Sequence, residues 1–192
     1  MGPVVPSGVR RLLGVLRDAG GRPYLVGGAV RDSILGLPHK DLDIEVFSLA
    51  LGPLKEALAS VGRVDAVGEA FTVFKVSGLE GVEGAVMFDP FAEALVDPFG
   101  GQRDLAERVL RAVDPAAFGE DPLRALRAVQ LAARFELRVE PRTAALCASM
   151  PLGELPADRI FGEMQKLLLK ARRPSIGMAL LREWGLLPAV AP

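Results

Sequence analysis

Apolar positions interleaved with Arg10, Arg11 and Arg17 predict an amphipathic helix over about residues 7–19, with Ser7 as its cap and Gly20-Gly21 as its stop. A short apolar strand, Tyr24–Val26, follows Pro23, and a helix through Val30–Leu35 ends at Gly36 and Pro38. Next, Leu42, Ile44 and Val46 alternate with Asp41, Asp43 and Glu45, the period-two signature of a half-buried strand with its three carboxylates on one face. Further along, the pattern predicts a helix near Pro53–Val61 and strands at Phe71–Val76 and Ala85–Phe88. From Asp114 onward it turns wholly helical, over Asp121–Phe135, Pro141–Ser149, Ala157–Ala171 and Ser175–Trp184. Prolines 122, 141, 156 and 174 stand at the helix starts.

This order of elements predicts an α+β chain: a small mixed sheet with helices over residues 1–113, then an all-helical part over 114–192. A length of 192 residues allows one domain or two small ones with a real core. The net charge of −1 gives no global pull toward nucleic acid, so any basic surface must be local. One cysteine, Cys147, excludes an internal disulfide and fits a reducing compartment; one cysteine and one histidine together exclude a zinc site built on those ligands. No stretch reaches the length of a membrane-spanning helix, so no membrane partner is expected.

The acidic strand carries the sharpest chemistry. Alternate residues of a strand lie roughly 6.5–7 Å apart, close enough for Asp41 and Asp43 to converge on one divalent cation, or on a pair about 3.5–4 Å apart. Like charges so close call for a cation to neutralise them. The Gly27-Gly28 turn has two readings: a backbone that approaches phosphates closely at a helix N-terminus, or an ordinary strand-to-helix turn. No Gly-Lys-Ser/Thr follows, so it is not a Walker A loop, nor is it a dinucleotide fingerprint. Its adjacency to the acidic strand would let phosphate-binding amides and metal carboxylates face one pocket, the layout of phosphoryl transfer.

A second constellation lies downstream. Asp121, Arg124 and Arg127 are spaced three apart on one helix face, with Arg134 a heptad after Arg127. A carboxylate beside a guanidinium offers the acceptors and donors that match the edge of a base. The alternative is structural: Glu120 and Asp121 complement the helix dipole, and Asp121 pairs with Arg124 at i,i+3.

These segments carry a family resemblance. LVGGAVRDSILG followed by DLDIEVF resembles the signature of bacterial-type tRNA nucleotidyltransferases and the related poly(A) polymerases, members of the polymerase-β-like superfamily. LVDPFGGQRDL (95–105), FGEDPLRALRAVQLAARF (118–135) and ADRIFGEMQKLLL (157–169) are similar to the family's later motifs, in the same order. The resemblance implies a polymerase-β-like catalytic head over 1–113 and a helical neck over 114–192. It implies that Asp41 and Asp43 hold two Mg²⁺ ions, one activating the primer's 3′-hydroxyl, and that Gly27, Gly28, Arg31 and Asp32 bind or frame the triphosphate. It further implies that Asp121 and Arg124, flanked by Glu120 and Arg127, read the incoming base. The implied activity is transfer of CMP and/or AMP from CTP and ATP to the 3′ end of tRNA in the cytoplasm, with release of pyrophosphate. Poly(A) polymerase and CC-only or A-only addition are the alternatives within that chemistry. A catalytically silent nucleotide- or RNA-binding module is the alternative outside it.

Other residues carry less. Glu45 lies beside the metal carboxylates or in solvent, Glu83 is a candidate third carboxylate or a surface residue, and His39 sits in the loop before Asp41. Lys40, Lys55, Lys166, Lys170, Arg172 and Arg173 are candidate contacts to an RNA backbone or plain surface charges. Cys147 and Trp184 read as packing residues.

Two departures from the family stand out. Val82-Glu83 runs almost directly into Gly84-Ala85-Val86-Met87, where the family carries a flexible loop and an Arg-Arg-Asp-Phe-Thr-x-Asn-Ala segment. Either the stretch is naturally deleted, as a CC-adding member would have it, or the sequence is closed up across it. The chain also stops at Pro192, whereas the family continues into further tRNA-binding helices, so a piece of a longer enzyme is expected.

Overall fold

The chain's first helix, α1 (Ser7–Asp18), buries Leu12, Leu13 and Leu16. Ser7 is its first helical residue rather than its cap; Pro6 holds the cap position and supplies no side-chain hydrogen bond. Its end follows the glycine signal: the Gly21 N–H donates to Leu16 O at 3.0 Å and the Gly20 N–H to Arg17 O at 2.9 Å, with Gly20 at φ 94°. That left-handed stop is one only glycine adopts without strain. The structure is a computed structural model that describes residues 2–39, 41–61, 64–66, 74–76 and 86–190. The chain divides into two compact units, Met1–Gln102 and Arg103–Pro192.

In the first unit, β1 (Arg22–Val26) is followed by α2 (Gly27–Ile34), β2 (Asp43–Phe47), α3 (Leu51–Ala59), β3 (Val64–Ala66), β4 (Phe74–Val76), β5 (Met87–Asp89) and β6 (Ala94–Val96). Four strands form a sheet in the order β2-β1-β5-β6, and β3 pairs with β4 separately. The sequence predicts a mixed sheet, but every described pairing in the four-stranded sheet is antiparallel. The cause is the excursion between β1 and β2. Val26, the end of β1, pairs with Asp43, the start of β2. An eight-residue helix rises only about 12 Å, and the return through Gly36 (φ 68°) brings the chain back to the edge it left. Leu13 of α1, Leu25 of β1, Ala29 and Val30 of α2, and Phe88 of β5 close one buried core. Burying a leucine fully is worth about 1.5–3 kcal/mol, so Leu13 and Leu25, both 0 % exposed, fix α1 and α2 on the sheet.

Helix α4 (Gly101–Ala106) carries the chain into the second unit. There follow β7 (Val109–Leu110), α5 (Pro115–Phe118), α6 (Leu123–Phe135), β8 (Arg138–Val139), α7 (Pro141–Ala148), α8 (Ala157–Lys170), α9 (Pro174–Glu183) and α10 (Leu187–Val190). The expectation of a wholly helical run from residue 114 needs one correction: β8 pairs in parallel with β7. Local pattern could not show this, because a two-residue ladder has no period. The helix expected at Asp121 begins at Leu123, since the Asp121 carboxylate accepts the Leu123 N–H at 3.0 Å and Pro122 has no N–H to donate. Alanines 125, 128, 132 and 133 are all buried on α6, which packs against α7, α8 and α9. At Gly177 of α9, an added Cβ would lie 2.4 Å from Leu167 Cδ1 and 3.1 Å from Val129 Cγ1. The approach of α9 to Leu167 and Val129 therefore depends on the missing side chain.

The expected strand at Phe71–Val76 is described only over Phe74–Val76, and that at Ala85–Phe88 only from Val86. Lys40, Glu83 and the junction around Glu83–Ala85 lie outside the described residues.

Candidate functional site

The first candidate site forms where β1 gives way to α2. Gly27 opens the helix with φ 69°, and a Cβ on it would stand 2.6 Å from Asp43 Oδ2. The glycine is thus required twice, by its dihedral and by the carboxylate lying over it. Asp43 is only 9 % exposed, the first residue of β2 and the register partner of Val26. Glycine at position 27 is what lets the acidic strand and the turn share one place.

The three-carboxylate face expected from the alternation is not formed as drawn. Asp41 precedes β2 and is exposed, Asp43 is buried, and Glu45 is half-buried. Leu42 and Asp43 are both buried in succession, and Ile44, Glu45 and Val46 are all half-buried, so the expected alternation of buried and exposed positions is not seen. Asp41 lies in the loop before the strand rather than on it.

On α2, Arg31 donates from Nε at 2.8 Å and from Nη2 at 2.7 Å to one oxygen, Asp32 Oδ1. Asp32 is buried, and Arg31 Nη2 lies 3.5 Å from where a Gly28 Cβ would be. The guanidinium thereby lies in ordinary contact range of the turn at Gly28. Gly27, Gly28, Arg31, Asp32 and Asp43 are so gathered around the amino end of α2. A helix terminus that favours anions stands next to a carboxylate that favours cations. That combination suits a metal-bound polyphosphate better than either ion alone. Among the described residues no group of three or more histidine, cysteine, aspartate or glutamate side chains converges as a metal cage.

The segment 95–105 has a clear local role. Asp97 accepts the N–H groups of Gly101 at 2.7 Å and Gln102 at 2.9 Å, closing the turn at Gly100 (φ 74°) onto the start of α4. Slight burial pulls the Asp97 carboxyl upward, but the N–H groups of Gln102 and Gly101 outweigh it and hold it below its ordinary value.

The second unit carries the other candidates. Glu120 is exposed before α6, and Arg127 is exposed upon it. Arg124 donates through Nη1 to the Ala117 carbonyl, which anchors its guanidinium against the end of α5. Besides the nearby charge of Arg124, Asp121 has a longer-range partner. Asp121 Oδ2 accepts from Arg159 Nη2 of α8 at 2.7 Å, while Oδ1 holds the Leu123 N–H. Partial burial pulls the Asp121 carboxyl upward; the Arg159 guanidinium, the Leu123 N–H and the nearby charge of Arg124 outweigh it, leaving it below its ordinary value. Asp121 is therefore a firmly ionised acceptor, oriented from two sides.

Arg159 is the residue that sequence reasoning missed. It stands in ADRIFGEM, a segment already singled out, but helical spacing says nothing about which other helix a side chain meets. Lys166 pairs with the buried Glu163 at 2.7 Å, so this candidate RNA contact is spent at least partly inside α8. Cys147 is fully buried in the second unit's core, and burial pushes its thiol up to about 12. Among the described residues no helix is long and apolar enough to cross a membrane.

Residues 136–192 match the family model described as "Probable RNA and SrmB- binding site of polymerase A". The multifunctional CCA protein of Nitrosococcus oceani is 35% identical over 204 residues, covering 88% of this chain and 50% of that protein. Its aligned span exceeds the 192 residues of the chain, so this relative carries residues for which the chain has no counterpart. Among solved structures, the Thermotoga maritima CCA-adding enzyme complexed with tRNA superposes with a TM-score of 0.78 at 25% identity, over 97% of this chain and 53% of that one. A tRNA nucleotidyltransferase complexed with a primer tRNA and an incoming ATP analog gives 0.72 at 27% identity, over 94% and 62%. The chain spans about half the length of the curated relatives it matches. By its motif order, its antiparallel sheet with the glycine turn on Asp43, and these likenesses, the chain belongs to the family of the CCA-adding tRNA nucleotidyltransferases and poly(A) polymerases.

Proposed function

We propose that the chain is the catalytic head and base-selecting neck of an enzyme that adds CMP and AMP to the 3′ end of tRNA, using CTP and ATP. The observation that carries this reading is the seating of the Asp43 carboxylate against Gly27. A carboxylate beside a helix terminus suited to phosphate supports a metal-bound polyphosphate there.

The residues present fit a hard cation. Two short carboxylates supply oxygen ligands only, and no larger cage is found among the described residues. Mg²⁺ is bound in that manner, through one or two carboxylates, with waters and substrate phosphates completing its shell. When bound to Asp41 and Asp43, it would lower the pKa of the primer hydroxyl and neutralise charge on the reacting phosphate. The first turn of α2 presents N–H groups to the triphosphate. Arg31, held by Asp32, contributes a positive charge whose position is fixed in advance, which costs less ordering on binding. In the second unit, Asp121 would accept from the exocyclic amino group of cytosine or adenine. Arg124, its guanidinium anchored at Ala117, would donate to a ring nitrogen or carbonyl.

The assay is incorporation of labelled CTP into tRNA lacking its terminal CCA, with wild type and Asp43→Asn side by side. The reading expects extension by the wild type, its loss on chelation with EDTA, and its recovery with Mg²⁺. Extension unchanged in Asp43→Asn would overturn it. A poly(A) activity is the second reading, favoured by the polymerase A description matched at residues 136–192. It would show as long adenylate tails on any RNA 3′ end.

A further inference from the structure

At the opposite end of β1 from Asp43 lies a cavity of about 210 Å³, lined among others by Arg17, Arg22, Pro23, Tyr24, Asp89 and Phe91. β1 runs from Arg22 to Val26, four residues at about 3.3 Å each, so the cavity stands roughly 13 Å along the strand from the glycine turn. Register agrees: Arg22 pairs with Phe47 and Val26 with Asp43.

Both arginines in this cavity are held by aromatic rings. The Arg17 guanidinium lies over the Phe91 ring, 4.1 Å from its centroid. Arg22 donates to the Tyr24 hydroxyl at 2.8 Å and lies 5.9 Å from that ring's centroid. A surface arginine ordinarily gives up considerable rotamer freedom when it binds; these two have given it up already. Among the described residues, neither nearby carboxylate closes a tight ion pair on them. Among the described residues Arg17 has only a loose pairing with the exposed Asp18, at 3.8 Å. Asp89 spends Oδ1 on the N–H groups of Phe91 at 2.9 Å and Ala92 at 3.0 Å. Among the described residues no ion pair is formed by Arg22.

We infer that this cavity is a second anion site, in which Arg17 and Arg22 together grip one phosphate group away from the reaction centre. The remaining Asp89 oxygen and the flat edges of Tyr24 and Phe91 admit a base or sugar beside that phosphate and disfavour a bare inorganic dianion. The phosphate has two sources, a backbone position of an RNA strand or a free nucleotide. The RNA source rests on the function proposed above; the nucleotide source does not.

The test compares the 192-residue chain with Arg17→Gln/Arg22→Gln, and with Phe91→Leu as the milder variant, each shown to be folded by its thermal midpoint. Fluorescence anisotropy with a labelled single-stranded RNA twelve-mer is read over a salt series, and ATP is titrated by calorimetry. For the RNA source, the double variant weakens binding about tenfold or more, and the slope of log K against log salt falls by about 1. Phe91→Leu weakens it less, because both charges remain. For the nucleotide source, RNA binding is unchanged and one bound ATP equivalent disappears. RNA affinity, salt slope and ATP stoichiometry all unchanged in the folded double variant would overturn the inference. Incorporation by Asp43→Asn tests the transfer activity separately, so either reading can fail without the other.

Discussion

Under the proposed function Asp43 is the residue on which the chemistry would rest, and its burial sets the terms. Replacing it by asparagine keeps the shape and removes the charge that a cation needs. The expected outcome is loss of CMP incorporation by at least about a hundredfold, with the thermal midpoint within a few degrees of wild type. Gly27→Ala tests the same place from the other side. The new Cβ would fall 2.6 Å from the carboxylate oxygen, at a φ of 69° that alanine adopts only with strain. A cost of roughly 1–2 kcal/mol in urea unfolding is expected, together with reduced incorporation. Asp121 gives a prediction in pH. Its pKa is lowered in the folded state, so the stability it contributes is present above the unfolded carboxylate value and is lost as pH falls through the folded one. Urea midpoints of wild type and Asp121→Asn should therefore differ at pH 7 and converge at the acid end of the range in which the protein stays folded. A difference that stays constant with pH would mean that the carboxylate's charge is not what Arg159 holds.

At the scale of elements, the closest packing is around α9. Gly177→Ala pushes a methyl group into Leu167 and Val129, both almost fully buried. Overpacking of that kind costs typically about 1–3 kcal/mol, and the expected result is a lower urea midpoint with the slope of the transition unchanged. This is also the scale at which the sequence was most legible. Most helix spans could be read to within two residues or so, because amphipathic periodicity, glycine stops and N-terminal prolines are local signals. The glycine turn and the acidic segment after it were legible for the same reason, lying within one stretch of chain. The alternation in 41–46 misled about Asp41, since a pattern of charge cannot say where a strand begins. The Arg159–Asp121 pair, the Gly27–Asp43 contact and the β7–β8 ladder were not legible, because each joins residues that helical or strand spacing does not relate.

For the whole molecule, the two compact units give two independent places to look: the glycine turn with Asp43 in Met1–Gln102, and Asp121 with Arg124 in Arg103–Pro192. Cys147 reports on the second. Its thiol is fully buried and its pKa is pushed up to about 12, so the native chain should react with a thiol reagent at pH 8 only as fast as that unit opens. Rapid stoichiometric labelling without denaturant would contradict the packing described. The transfer chemistry itself is tested most directly by product length. Transfer RNAs ending before C74, after C74 and after C75 are each incubated with Mg²⁺ and labelled CTP or ATP, and the products are resolved at single-nucleotide length. The account predicts CMP addition to the first two primers, AMP addition to the third, and a stop once CCA is complete. Primers that remain unextended with either nucleotide, while the chain still binds ATP, would contradict it.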